Sequence, residues 1–409
     1  VKDDRFLYTD DIRIRAGAFD YDFPDGMYAV HYDKLNVSST DGRIEISGFA
    51  ITPKLPKQQF ARSKGHQLDW INAKAASISF SGVDMRRIVQ KNALHAQLAR
   101  ITGLRIDAYK DKRLPPKPGH SPPMPHDILP KLGFPLHIHK AVVVNGEATY
   151  EEHAPTAQHS GTVTMKNFSA TAVNVTNEPA LIRKNIVLRA DAQANVMGTG
   201  LLKAHVDIPL GDPQKRFSYH GTLGRMKFAD LNPMTEPAVG VKLMDGVVEK
   251  IHFNVRANSE IATGTVTFVY KDLKIKLSDV KNGEKNGFKE KIGSFVANNL
   301  VIQSNNPDKD KPLRPGIVSF ARDKSKGFLH YGWNAVLSGL KSSMGVPEKE
   351  VKEPKPDKKE LRQEKKEERK EERIEKREES REERKTTREV KKEGKSLFRK
   401  KREEPVAED

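Results

Sequence analysis

Apolar and polar residues alternate with a period of two over much of the first 345 positions. The pattern is clean in Ile12-Arg13-Ile14-Arg15, Arg43-Ile44-Glu45-Ile46-Ser47 and Ser77-Ile78-Ser79-Phe80-Ser81. It returns in Thr265-Val266-Thr267-Phe268 and Leu273-Lys274-Ile275-Lys276-Leu277. Successive side chains of a strand point to opposite faces, so each segment predicts a strand with one apolar side and one polar side. One-faced strands of this kind belong to antiparallel sheets. Turn chemistry separates them at Pro24-Asp25-Gly26, Thr40-Asp41-Gly42, Asn145-Gly146 and Asn282-Gly283.

A looser theme repeats at irregular spacing: a strand ends in a polar residue and a short polar–apolar alternation follows. It reads Asp33-Lys34-Leu35-Asn36-Val37, Thr102-Gly103-Leu104-Arg105-Ile106, Lys166-Asn167-Phe168-Ser169-Ala170 and Lys271-Asp272-Leu273-Lys274-Ile275. One kind of hairpin laid down repeatedly would produce this, and so would any antiparallel meander. Helical spacing is confined to three segments. Val83 to Gln97 has Asp84 placed as an N-cap, and Phe288 to Asn298 is the second. Tyr331 to Met344 puts Trp333, Val336, Leu337 and Leu340 on one stripe, with Gly345 able to end the helix.

Two stretches break the strand pattern. Leu114 to Pro135 holds eight of the 24 prolines in 22 residues, which favours extended backbone without ladder donors. It reads as a connection between two β modules, 1–113 and 136–345, or as a strap lying across a sheet. From 346 onward the chain is a charged tail. Glu348 to Asp409 carries 24 Lys/Arg and 21 Asp/Glu in 62 residues, too few apolar groups to fold against itself. It reads as a disordered or partly helical extension. The alternative is a tether to an anionic surface through Arg399, Lys400, Lys401 and Arg402, which follow Leu397-Phe398. The expected fold is therefore mainly β with a few helices: one or more long, curved antiparallel sheets, forming either a groove or a closed sandwich, plus the tail.

Charge changes the picture less than it first suggests. The whole chain has a net charge of +17, of which the tail supplies +3 and residues 1–347 supply +14. A basic body favours anionic partners such as phospholipid headgroups, polysaccharide or nucleic acid. The absence of cysteine excludes disulfides, thiolate catalysis and cysteine metal sites. No stretch reaches the roughly 18–20 apolar residues of a membrane span. The opening Val1-Lys2-Asp3-Asp4 lacks an initiator Met and suggests a chain whose true start lies upstream.

Candidate chemistry is sparse. His137-Ile138-His139 puts two imidazoles on one strand face with His120 and His126 upstream, but no accompanying carboxylate set completes a metal site. No nucleophile elbow, P-loop or dinucleotide fingerprint occurs, and Met197-Gly198-Thr199-Gly200 lacks the third glycine. Nucleic-acid modules are missing too. The residues point away from an enzyme and imply no cofactor.

The stretch Arg15-Ala16-Gly17-Ala18-Phe19-Asp20-Tyr21-Asp22-Phe23-Pro24-Asp25-Gly26-Met27-Tyr28, followed by Ser38 to Ile46, resembles AsmA-like envelope proteins of Bacteroidota, the DUF748-type group. Leu231-Asn232-Pro233-Met234 before Asp245-Gly246-Val247-Val248-Glu249-Lys250-Ile251, and the closing Tyr331 to Gly345, resemble the late part of such proteins. The likeness covers most of residues 5–345. It implies a periplasmic protein held at a membrane by an N-terminal segment outside this chain. It also implies a curved sheet with an apolar groove, partners among phospholipids, other acyl lipids and envelope proteins, and a role in lipid handling and envelope integrity. The resemblance supplies no catalytic residues. From the alternation alone, Ile44, Ile46, Ile78, Phe80, Ile106, Val163, Val266 and Phe268 are the expected inward residues, lining a groove or packing a closed core. The competing expectation is a structural module that binds anionic polymer through the basic body.

Overall fold

The computed structural model describes residues 11–119, 121–277 and 303–346, all within one compact unit, Val1–Val351. Seventeen strands form one mixed sheet. Four pairs of short strands lie end to end, so the sheet has 13 rows. The first row is β1 (Arg13–Ala16) with β2 (Phe19–Asp22), and the second is β3 (Tyr28–Tyr32) with β4 (Lys34–Ser38). Next come β5 (Arg43–Pro53), β6 (Asp69–Ser81), and a fifth row of β7 (Leu94–Thr102) with β8 (Arg105–Asp111). The middle of the sheet is β9 (Leu136–His153), β10 (Gly161–Thr176), β11 (Val187–Val196) and β12 (Gly200–Pro209). The last four rows are β13 (Phe217–Leu223) with β14 (Met226–Lys227), β15 (Val241–Ala257), β16 (Ile261–Leu277) and β17 (Gly316–Ala321).

Every neighbouring pair is antiparallel except at one junction, where β9 runs parallel to β7 and β8. The proline-rich segment creates that exception. A parallel neighbour requires the chain to return along the whole row before pairing, and 112–135 makes the return. It also lies across the sheet as a strap. The Ser121 hydroxyl donates to the Lys324 carbonyl (3.0 Å), and Arg322 Nη2 donates to the Pro122 carbonyl (2.9 Å). Met124 is 1% exposed within the main core.

A line of irregular residues, four of them left-handed, creases the second to seventh rows. Asp33, Gly48, Ala76, Gly103, Asn145 and Asn167 fall beside one another in the register, at the point where β3 gives way to β4 and β7 to β8. Gly48, Gly103, Asn145 and Asn167 have φ of 65°, 65°, 55° and 52°. Glycine and asparagine tolerate this conformation best. A Cβ on Gly103 would also come to 3.1 Å from the Ala76 side chain. Asn145-Gly146, expected as a turn, is thus a kink inside an 18-residue strand. The repeated sequence theme marks the same feature, since Asp33, Gly103 and Asn167 lie on the crease. Asp272 (φ 56°) kinks β16 further along.

Six α-helical segments are described: α1 (Lys57–Phe60), α2 (Met85–Lys91), α3 (Pro125–Ile128), α4 (Pro179–Arg183), α5 (Asn232–Val239) and α6 (Phe328–Ser343). The helix expected over Val83–Gln97 is shorter. Asp84 does cap it, accepting from the Arg87 N–H (3.1 Å), but Asn92 ends it at φ 48° and the following residues join β7. Trp333 does not share the buried stripe of α6. It is 61% exposed, and the packed side chains are Tyr331, Ala335, Val336 and Leu340. The Phe288–Asn298 segment, the Asn282-Gly283 turn and the tail, including Arg399 to Arg402, lie outside the described residues.

Candidate functional site: an apolar trough

Strand pairing aligns the alternation of all 13 rows into columns that cross the sheet at right angles to the strands. One column runs Ile14, Val37, Ile44, Phe80, then Ala99, Ala141, Ala172, Ala190, then Val206, Tyr219, Val255, Gly264 and Val318. The parallel column two residues away runs Ala16, Leu35, Ile46, Ile78, then Ile101, Val143, Ala170, Ala192, then Ala204, Gly221, Phe253, Val266 and Gly316. Neither contains a charged residue. At about 4.8 Å per row the apolar face is roughly 58 Å long.

The two ends of this face differ. Across β13–β17 it is sealed by α6, Phe228 and the strap. Val255, Val266 and Val318 are 0–1% exposed. Glycines let the helix backbone touch the sheet: a Cβ on Gly339 would come to 2.5 Å from Val266 Cγ2 and 2.9 Å from Val318 Cγ2, and a Cβ on Gly316 would strike the Gly339 carbonyl. The Tyr219 hydroxyl donates to the Gly332 carbonyl (2.8 Å). Ser338 and Ser342 hydroxyls accept the N–H groups of Ser319 and Ile317 on the outer edge of β17 (3.3 and 3.2 Å). Hydroxyls therefore satisfy part of an edge that would otherwise stay unpaired. Buried Asn306 completes the seal by donating to the Phe268 carbonyl (2.7 Å) and accepting from the Arg314 N–H (2.9 Å).

From β1 to β12 no such cover lies over most of the face. Ile44, Ile46, Ile78 and Phe80 are half-buried, and Ile14 is 49% exposed. In the middle rows the columns are alanine, which presents little side-chain volume there. Of the expected inward residues, Ile44, Ile46, Ile78 and Phe80 thus stand together on the open part. Ile106 and Val163 are half-buried beyond the crease, where Val163 pairs with Tyr150 and Ile106 with Ala73 and Ala148. Val266 and Phe268 belong to the closed core, 1% and 3% exposed, and line no accessible groove. The alanine in these columns carried no expectation. Its only signal in the sequence was the spacing Ala170, Ala172 and Ala190, Ala192, Ala194.

A polar cluster closes one end of the middle rows. The rings of His95 and His137, side by side on β7 and β9, meet edge to face at 5.6 Å. Glu178 hydrogen-bonds His95 and lies 3.6 Å from the Arg87 guanidinium. Burial, reinforced by the neighbouring His95, holds His137 below the ordinary histidine value. His139 is exposed. Among the described residues no group of three or more His, Asp or Glu is placed to hold a metal ion. His126 is 7% exposed in the strap, and His120 lies outside the described residues.

The opposite face is polar along the same columns. Asp191, His205, His220 and His252 border a shallow depression of about 520 Å³ there. The Asp191 carboxylate, 2.7 Å from His205 Nδ1, raises the pKa of that imidazole, with Asp207 adding to the effect against some burial. One outer column carries Arg13, Arg43, Lys140, Arg189 and Arg256 against a single acid, Asp207.

No family model matches the chain, and comparison with curated proteins finds no match. No helix among the described residues is long and apolar enough to cross a membrane.

Proposed function

We propose that this protein is a non-enzymatic lipid-handling protein of the AsmA-like kind, holding acyl chains against its open apolar columns. The observation that carries the reading is the in-register apolar face, open over β1–β12 and sealed over β13–β17. A soluble protein gains nothing by leaving such a face bare, because each buried methylene contributes about 0.8 kcal/mol. A single long acyl chain laid on the alanine columns would offset that exposure by roughly 10 kcal/mol before ordering costs. Phospholipid fits best, since its chains can lie along the columns while its headgroup stays in water at the open edge of the sheet, beside β1. The corresponding place of work is the bacterial periplasm, at a membrane surface, in company with other envelope proteins. The role is lipid transport and envelope integrity.

Native mass spectrometry of protein purified from a bacterial envelope tests this. Co-purifying phospholipid is expected, and it should be lost when Ile44, Ile46, Ile78 and Phe80 are all changed to Asn without loss of the folded state. Lipid-free wild-type protein that also takes up no lipid from vesicles overturns the reading.

The outer column of five basic residues favours a second reading, a module that binds anionic polysaccharide or nucleic acid. Binding of that kind weakens steeply with added salt, whereas acyl uptake does not.

A further inference from the structure

Among the described residues, the first row of the sheet has an unpaired edge, unlike the last. β1 and β2 pair inward with β4 and β3, and no described strand pairs their other side. Four large apolar side chains stand exposed within ten residues there: Ile14 (49%), Phe19 (47%), Tyr21 (45%) and Phe23 (40%). Proteins ordinarily blunt such an edge with proline, lysine or a covering element, as α6 covers β17.

The backbone fixes which groups of this edge are free. The Ser39 N–H donates to the Ile12 carbonyl (2.9 Å), so Ile12 and Ser39 form a hydrogen-bonded pair, and the next such pairs along the ladder are Ile14 with Val37 and Ala16 with Leu35. The N–H and C=O of Arg13 and Arg15 therefore point outward. In β2 the Phe23 N–H donates to the Tyr28 carbonyl (3.0 Å), so Tyr21 and Phe19 face inward and Asp20 and Asp22 point outward. The break between β1 and β2 has shifted the phase. Two bases thus own the free backbone groups on one side of Gly17-Ala18, and two acids own them on the other.

We propose that this edge pairs with the same edge of a second copy, antiparallel about a two-fold axis at Gly17-Ala18. In that register Arg13 lies opposite Asp22 of the second copy and Arg15 opposite its Asp20. These two pairs and their symmetry mates use the outward backbone groups. Ile14 then meets Tyr21, and Ala16 meets Phe19, on the apolar side. Opposite charges directly across a strand pair are stabilising and like charges the reverse. Pairing β1 with its own symmetry copy would set arginine against arginine, so the charges select the crossed register. All four side chains face solvent: Arg15 is exposed, and Arg13, Asp20 and Asp22 are 64%, 81% and 64% exposed. Their present partners, Asp11 for Arg13, His31 for Asp20 and Lys54 for Asp22, belong to the same surface and can share them. The pairing doubles the sheet and places the open ends of two apolar faces side by side. It stands whether or not the face holds lipid.

Sedimentation velocity of the full chain over a concentration series tests the pairing. Wild type is expected to approach twice the monomer mass. R13D/R15D and D20R/D22R should each remain monomeric, and an equimolar mixture of the two should dimerise, because every crossed pair is then opposite in charge. R15P removes one outward N–H without touching an internal hydrogen bond. It should lose the dimer while keeping the wild-type melting temperature, which guards against misfolding of the charge variants. A monomeric wild type at the highest soluble concentration overturns the proposal, including one whose edge amides are protected from exchange by another segment of its own chain. A dimer that survives R15P, or a mixture that stays monomeric although both variants fold, overturns it too.

Discussion

The two ends of one apolar face are made from the same alternation and behave differently. Phe80 and Val266 stand in adjoining columns, each an inward residue of a regular strand, yet one is half-buried and the other 1% exposed. The difference is not in the strands but in what lies over them. β13–β17 carry glycine where the columns pass under α6, so a helix can approach to van der Waals contact. β1–β12 carry isoleucine, phenylalanine and alanine, and over them only a small cluster of Ala99, Leu136 and Ile138, which Phe80 joins, is closed in the same way. A sheet face is thus a core only where another element is cut to fit it.

The sharpest way to break this comparison is to make the same substitution on both sides. Phe268→Ala should cost about 3–5 kcal/mol, because it deletes a ring packed between Phe228 and Tyr270 in a closed core. Phe80→Ala should cost about 1 kcal/mol, since much of its ring remains in contact with water in the folded state. Denaturant titration of the two variants checks this, and equal losses would mean that the open face is covered by something the strands do not reveal.

Next in size is the seal itself. Gly339→Leu forces a side chain into Val266 and Val318, and overpacking of this kind costs about 1–3 kcal/mol. The expected signature is partial: α6 lifts while the sheet persists, so an apolar dye should bind more strongly before global unfolding. Asn306→Ala should cost about as much, because it strands the Arg314 N–H and the Phe268 carbonyl in a buried site. An Asn306→Ala protein of wild-type stability would show that α6 holds without this network.

The strand pattern was legible in the sequence because a period of two is local; the crease was not, since its Gly103, Asn145 and Asn167 read as hairpin and turn residues until pairing placed them side by side within long strands. The alignment of thirteen rows into columns was not legible either, since register is set by pairings between distant segments. Nor could alternation separate Ile44 from Val266: coverage by α6 is a tertiary property. Trp333 misled for a related reason. Helical spacing placed it beside Val336 and Leu340, which are buried, but Tyr331 and Ala335 complete the packed side and Trp333 faces out. The strand start at Leu94 was masked by a helical reading that ran past Asn92, where a left-handed residue ends the helix.

The smallest expected effect contrasts two buried histidines with one facing solvent. Burial holds His126 and His137 below the ordinary value, so their unfolded forms bind the proton first. Their contribution is full above about pH 6.5 and is lost as pH falls towards the folded values. His205 on the outer face behaves oppositely. Its Asp191 partner raises the folded value, so its contribution is full below about pH 6.5 and is lost as pH rises through that raised value. Denaturation midpoints taken from about pH 8 to about pH 5 should therefore fall on the acid side in wild type. His126→Leu should flatten that acid limb, because it removes a buried imidazole whose ring nitrogens have no hydrogen-bond partner. His205→Gln should instead steepen it, by removing the one of these three contributions that grows on acidification. If both substitutions moved the acid limb in the same direction, the buried His126 and the Asp191-paired His205 would not differ electrostatically in the way their burial and hydrogen bonding require.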